Sequence, residues 1–266
     1  PQDWLRPFPD LPPAESDSRS DLHLGQLPAS ARAFVVGGLV RKSRPLLLLA
    51  KGVKQQEELA NDLEAWGVEF LFFPQAEEAR ANSLPDQDVA AERLAVLDHL
   101  SQVPAGVLLA TVEGASQPLP PPADLRQSRM TMLVGMEMDR EDWLSRLEAA
   151  GYQREAQATE RGTLSDRGEN VDDISWKALV PTRSEWMRDE LESIRELDPM
   201  KQRSREEIKE TVVSLAKASQ VDGADSGQST STLDNYIPVN TLRLHFDEEV
   251  SDVSTIEDLP GFGDLF

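Results

Sequence analysis

An α/β fold, with a doubly wound parallel sheet and a small inserted α+β domain, is what this 266-residue sequence predicts. Three observations carry the prediction. Leu46–Ala50 is a continuous apolar run that reads as a buried strand of a parallel sheet, and Val68–Phe73 and Val107–Val112 read as the strands that follow it. Helical patterns alternate with those runs, which implies right-handed crossovers between parallel neighbours. Beyond the prolines at Pro118 and Pro120–Pro122 the pattern changes to one helix followed by glycine-broken β-like segments.

Taken in order, residues 1–26 read as an extended arm, because Pro7, Pro9, Pro12 and Pro13 disfavour helix. Trp4 and Phe8 are the candidate anchors of that arm. Residues 27–125 form the first part of the α/β domain. Ala29–Val40 is an apolar helix, and Pro45 ends it. Val53–Trp66 is amphipathic, with Val53, Leu59, Leu63 and Trp66 on its inward stripe and Gly67 as its stop. Gln75–Asp86 is a loop. Asp88–Leu100 is a helix that buries Val89, Leu94, Leu97 and Leu100.

The prolines at 118–122 mark a linker, and the inserted domain spans 126–210. Asp139 is a good N-cap for a helix Arg140–Ala150, and Gly151 closes it. Tyr152–Arg195 reads as curled hairpins broken at Gly162 and Gly168, and Ser204–Ala218 as a second helix. Residues 211–266 return to the first domain. They hold a flexible linker at 219–232, rich in Ser, Gly, Asp and Thr, a short helix Ser231–Tyr236 and a strand Thr241–Phe246. A loose acidic tail follows. No repeat of 20–50 residues is present.

The net charge is −21. Such a field repels a phosphate backbone, so direct nucleic-acid binding is not expected. The chain has no cysteine, which excludes disulfides, Cys-based zinc sites and thiol nucleophiles. That composition suits a reducing cytosol, and a cytoplasmic location is expected. No apolar run reaches the roughly 18–20 residues of a membrane span. The Pro-rich start is unlike a signal peptide, and a first residue of Pro suggests a processed or trimmed chain.

A doubly wound sheet invites a search for a phosphate loop, which needs glycines followed by a Lys and a Ser or Thr. Residues 27–40, the place to look, contain no such set, Gly37-Gly38 lies inside a helix, and no Gly-Lys-Ser/Thr occurs anywhere. Asp247-Glu248, at the end of a strand, has the form of a magnesium-holding acidic pair but no nucleotide to serve. His23, His99 and His245 are far apart in sequence and form no metal motif. No Gly-x-Ser-x-Gly elbow is present. No catalytic residue, cofactor or metal is expected, and the chain reads as a non-enzyme.

One region stands out. From 154 to 205 the basic residues are nearly all arginine: Arg154, Arg161, Arg167, Arg183, Arg188, Arg195, Arg203 and Arg205. Arginine makes planar bidentate contacts with carboxylates and is enriched at interface hot spots. With Trp176 and Trp186 nearby, the region reads as a protein-binding face. Local pairing of these arginines with neighbouring Asp and Glu is the competing explanation.

Several stretches resemble the N-terminal, UvrB-homology region of the bacterial transcription-repair coupling factors. They are Ala31 to Ala50, Phe72 to Leu100, Val107 to Pro122, and Leu133 to Glu155. Arg161-Gly-Thr-Leu-Ser-Asp-Arg-Gly168 and Asp189-Glu-Leu-Glu-Ser-Ile-Arg to Ser204 are the most specific. The resemblance covers about 28–216, with a weaker echo at 231–249. It implies a degenerate P-loop NTPase-like domain that has lost its phosphate loop, whereas the related excinuclease component UvrB keeps one. It further implies an inserted domain that binds UvrA, the damage-recognition component of nucleotide excision repair. Residue by residue, the UvrA-contacting arginines fall on Arg167 and Arg183. An interface aromatic falls on Met187, with Trp186 beside it. Contact with RNA polymerase is implied only through family domains absent from this sequence. Here the family's Gly-Gly-Ile-Leu-Asp-Ile-Phe-Pro strand reads Gly168-Glu-Asn-Val-Asp-Asp-Ile-Ser175, which is more polar and less β-prone. A regulator that keeps the fold without UvrA binding, or a fragment of a nucleotide-dependent repair helicase, are the alternatives.

Overall fold

The computed structural model describes residues 20–24, 27–40, 45–77, 87–175, 181–198, 200–201, 203–216, 221 and 231–246. Trp4, Phe8, Trp176, Asp247 and Glu248 lie outside them. The helices are α1 (Ala29–Val40), α2 (Val53–Ala65), α3 (Gln87–Leu100), α4 (Val112–Ser116), α5 (Pro122–Gln127) and α6 (Arg140–Ala149). The strands are β1 (Ser20–Leu24), β2 (Leu46–Ala50), β3 (Leu71–Phe72), β4 (Val107–Thr111), β5 (Arg129–Leu133), β6 (Gln153–Arg154) and β7 (Thr163–Arg167). They continue with β8 (Asn170–Ile174), β9 (Thr182–Met187), β10 (Glu190–Asp198), β11 (Arg203–Ile208), β12 (Glu210–Ser214) and β13 (Leu242–Phe246). The chain divides into two compact units, Pro1–Gln75 with Val103–Ser116 and Leu233–Phe266, and Ala76–Gln102 with Gln117–Thr232.

The first unit is an α/β layer on a five-stranded sheet ordered β1-β13-β2-β4-β3, parallel throughout. Every residue of β2 and β4 is buried, as their unbroken apolar sequences require. Leu46, Leu48, Val107, Leu109, Leu242 and Leu244 meet Ala33, Val36, Leu39, Leu59 and Leu63 of the helices in one core. The end of the arm is a strand, since β1 pairs along its whole length with β13. Strand β3 is shorter than the predicted strand Val68–Phe73: Leu71 and Phe72 pair in register with β4, and the Phe73 amide adds one hydrogen bond to the Leu109 carbonyl at 2.9 Å. In α2 the inward residues are Gln56, Leu59 and Leu63, whereas Val53 and Trp66 are exposed. Gln56 takes an inward place because its amide donates to the carbonyls of Phe73 at 2.8 Å and Leu109 at 3.2 Å, satisfying a buried polar group.

The second unit holds a six-stranded sheet ordered β11-β10-β9-β8-β7-β6, antiparallel except for the short β6–β7 pair. A two-stranded β12-β5 ribbon accompanies it. Helix α6 starts as the sequence predicts, with the Asp139 carboxylate accepting from the Asp142 amide at 2.8 Å, and it buries Trp143, Leu144 and Leu147. Gly151 leaves it at φ 91°, a conformation that favours glycine.

Two expectations are corrected and two readings are refined. Ser204–Ala218 is not helical: β11 and β12 occupy it. Its charged residues favour helix locally, but the long β10 offers an open edge, and sheet edges accept charged side chains. The polar segment after Arg167 is a full strand, β8, with Val171, Asp172, Asp173 and Ile174 buried. The prolines at 118–122 are more than a linker. Leu119 is buried and exchanges two backbone hydrogen bonds with Ser231, at 2.9 and 2.8 Å, and Pro122 begins α5. Within the segment 219–232, Val221 is buried, and its carbonyl accepts from the Arg93 guanidinium at 2.6 Å.

Candidate protein-binding face

Strand alternation sorts the arginine region onto two faces of the six-stranded sheet. The register places Ser165, Asp172, Arg183, Arg195 and Glu207 opposite one another across β7, β8, β9, β10 and β11. One step along, Arg167, Asn170, Glu185 and Ser193 form a second row on the same face. Met187, two residues beyond Glu185, belongs to that face as well. The other face carries Leu164, Val171, Ser184, Trp186, Leu191 and Ile194, all buried.

Arg167, Arg183 and Met187, singled out from the sequence, therefore lie on one face. Trp186 does not. It is 1% exposed, and its indole N–H donates to Ser184 Oγ at 3.0 Å, so it supports β9 from inside. Met187 is 58% exposed, at the mouth of a hairpin. That hairpin turns through Arg188 and Asp189, and Arg188 adopts φ 58°. The hairpin between β7 and β8 turns through Gly168 and Glu169, with Gly168 at φ 65°. Both two-residue turns use positive φ, a conformation common in tight hairpins.

Asp172 organises the arginines. Arg183 grips it with two parallel bonds, Nε to Oδ1 at 2.6 Å and Nη2 to Oδ2 at 2.7 Å. Arg167 donates from Nη2 to the same Oδ2 at 3.2 Å and from Nε to Ser165 Oγ at 3.1 Å. The Asp172 side chain is 2% exposed, that of Arg183 20% and that of Arg167 45%. The hydrogen bond to Asp172 holds the Arg183 guanidinium even more firmly protonated than usual, outweighing the opposing effect of its burial. Two cations meet one anion here, and the charge of Glu185 also reaches Arg183, so the face mixes both signs. Arg195 extends the face, with Nη2 at 3.8 Å from Glu185 Oε2.

Other arginines of the region are used internally. Arg140 and Arg154 both pair with Asp166. Arg205 pairs with Asp198 at 2.8 Å, and Asp198 also accepts from the amides of Met200 and Lys201 at 3.1 and 3.0 Å. The Arg205 bond, aided by those amides, holds the Asp198 carboxyl below its ordinary range. The local-pairing explanation thus holds for part of the region. Asp172 was not singled out from the sequence. Arg183 and Met187 came from the family resemblance, and their spacing of four residues along β9 agrees with a shared face; nothing local in the sequence marked Asp172 as their anchor.

Directly behind the face, Asp173 is buried and accepts from Thr182 Oγ1 at 2.9 Å. Burial pushes its carboxyl up to about 7; the Thr182 bond opposes the shift and the charge of Asp172 adds to it. In the first unit, a cavity of about 490 Å³ lies beside Phe34, Gly37, Trp66 and Val107, with Glu69 the one ionisable residue among the described lining. His23 and His245, distant in sequence, stack at 4.5 Å across β1 and β13. Among the described residues no cluster of three His, Cys, Asp or Glu is placed to hold a metal. No described helix is long and apolar enough to cross a membrane.

Residues 130–218 match the family model of the UvrB interaction domain. The chain is 31% identical to the transcription-repair-coupling factor of Myxococcus xanthus over 255 residues, covering 89% of this chain and 21% of that protein. It is 24% identical to the Bacillus subtilis factor, over 85% of this chain and 20% of the relative. The Escherichia coli factor is 27% identical, over 70% and 16% respectively. The chain thus spans about one fifth of the length of these relatives.

Proposed function

From a chain that carries a UvrB interaction domain and is related over most of its length to transcription-repair-coupling factors, we propose a non-catalytic module of nucleotide excision repair that recruits UvrA. The observation that carries the proposal is the joint placement of Arg167, Arg183 and Met187 on one sheet face, with both arginines on Asp172. A paired-arginine surface beside an exposed thioether suits a partner that brings carboxylates around an apolar knob. Each arginine contributes roughly 1–3 kcal/mol if it is desolvated and paired in the complex. Repair and transcription coupling is the setting that the relatives' names support.

The parallel first unit supports the reading of a decayed nucleotide fold. Strands β1 and β13 pair to Leu24 and Phe246, and in the sequence Gly25–Pro28 follows the first of these ends and Asp247-Glu248 the second. In an active P-loop protein those two places hold the phosphate loop and the acidic magnesium site. The connection Gly-Gln-Leu-Pro has no Lys and no Ser or Thr, and Pro28 has no N–H to offer a phosphate.

Co-elution of the chain with UvrA on a sizing column tests the proposal. A shared peak is the expected result. Separate elution of the two proteins at every concentration tested would refute it.

A further inference from the structure

Asp172 has no role in the proposed contact by charge, since an acid on an arginine face would compete with an acidic partner. Its position argues otherwise. It is buried in the middle of β8, directly opposite Arg183, and its carboxylate receives three guanidinium hydrogen bonds from two strands. Arginine side chains carry about 2 kcal/mol of rotamer entropy, which a partner has to freeze on binding. A carboxylate that already fixes Arg183 through two bonds removes most of that cost before the partner arrives.

Resting on the UvrA-binding reading, we propose that Asp172 is the positioning residue of this face: it presets the guanidinium planes of Arg183 and Arg167 for a carboxylate-bearing partner. Ser165 completes the device. Its hydroxyl accepts from Arg167 Nε at 3.1 Å and lies 3.2 Å from the carbonyl of Ala156, to which it donates. Arg167 is thus held from two sides, by Ser165 and Asp172, and Arg183 by one acid in bidentate form. Asp173, next along the strand, faces the opposite side and Thr182, so it shares the strand but not the arginines. That makes it the natural control.

The test compares Asp172→Asn with Asp173→Asn in the full chain. Thermal melts report folding, the 15N–1H signal of Arg183 Nε reports fixation, and the dissociation constant for UvrA reports binding. In the unaltered chain the Arg183 Nε–H should be resolved and slow to exchange with water. Asp172→Asn should return that signal to the free-arginine position and weaken UvrA binding by roughly tenfold or more. Asp173→Asn should leave both unchanged. If Asp172→Asn does not fold, the signal of the unaltered chain decides: an Arg183 Nε–H exchanging as fast as free arginine overturns the proposal. Unchanged or tighter UvrA binding by a folded Asp172→Asn overturns it too. Failure of the unaltered chain to bind UvrA at all would refute the functional reading instead, and the Nε–H signal would still judge the fixation.

Discussion

Trp186 and Met187 are consecutive on β9 and end on opposite sides of the sheet, one 1% exposed and the other 58%. The pair separates what holds the domain together from what it presents. Replacing Trp186 by Ala should cost about 3–5 kcal/mol of stability through the cavity left behind, seen as a fall in the urea midpoint. Met187→Asp should leave stability within about 0.5 kcal/mol and weaken UvrA binding. If Met187→Asp alters stability alone, the exposed thioether is no contact.

The two arginines should also divide. Arg167 is half exposed and shares Asp172 with a stronger partner, so Arg167→Glu should reduce binding with little change in melting temperature. Arg183→Ala removes the bidentate partner of a buried acid and should destabilise the domain by about 2–4 kcal/mol, less than a fully buried pair would lose. Urea denaturation of both variants checks this. Equal stability losses would contradict the geometry.

Asp173 predicts a dependence on pH. Its carboxyl is raised from 3.8 to about 7 in the folded chain, so between those values the native state holds a proton that the unfolded state has released. Its contribution is therefore favourable below pH 4 and is lost as pH rises through 7. Asp173→Asn, which mimics the protonated acid, should match the unaltered chain near pH 4. It should exceed it at pH 8 by on the order of 1–4 kcal/mol. A variant advantage that does not grow from pH 4 to pH 8 would show that Asp173 titrates normally.

A sequence with no Gly-Lys-Ser/Thr predicts silence toward nucleotides. Titration of the chain with ATP and magnesium in a calorimeter should give no heat beyond dilution. A saturable isotherm would restore the helicase alternative.

Much of the fold was legible because it rests on local signals. The unbroken runs of β2 and β4 could only be buried strands, and Asp139 with Gly151 bracketed α6 as caps do. What escaped depended on partners distant in sequence. Strand β8 looks too polar until Arg183, eleven residues on, satisfies Asp172, and Thr182 satisfies Asp173. Strand β11 looks helical until β10 provides an edge. Gln56 reads as surface until two carbonyls from other segments claim its amide. At the face itself, Arg167, Arg183 and Met187 came from the family resemblance, and the alternation of β9 puts Trp186, expected beside them, on the buried side instead.

The most direct test of the central claim is the UvrA dissociation constant of the chain against that of Arg167→Glu combined with Met187→Asp, each first shown to be folded by its thermal melt. The account predicts measurable binding by the first and a loss of about a hundredfold in the second, from two contacts of roughly 1–2 kcal/mol each. Equal affinity of the two proteins would contradict it.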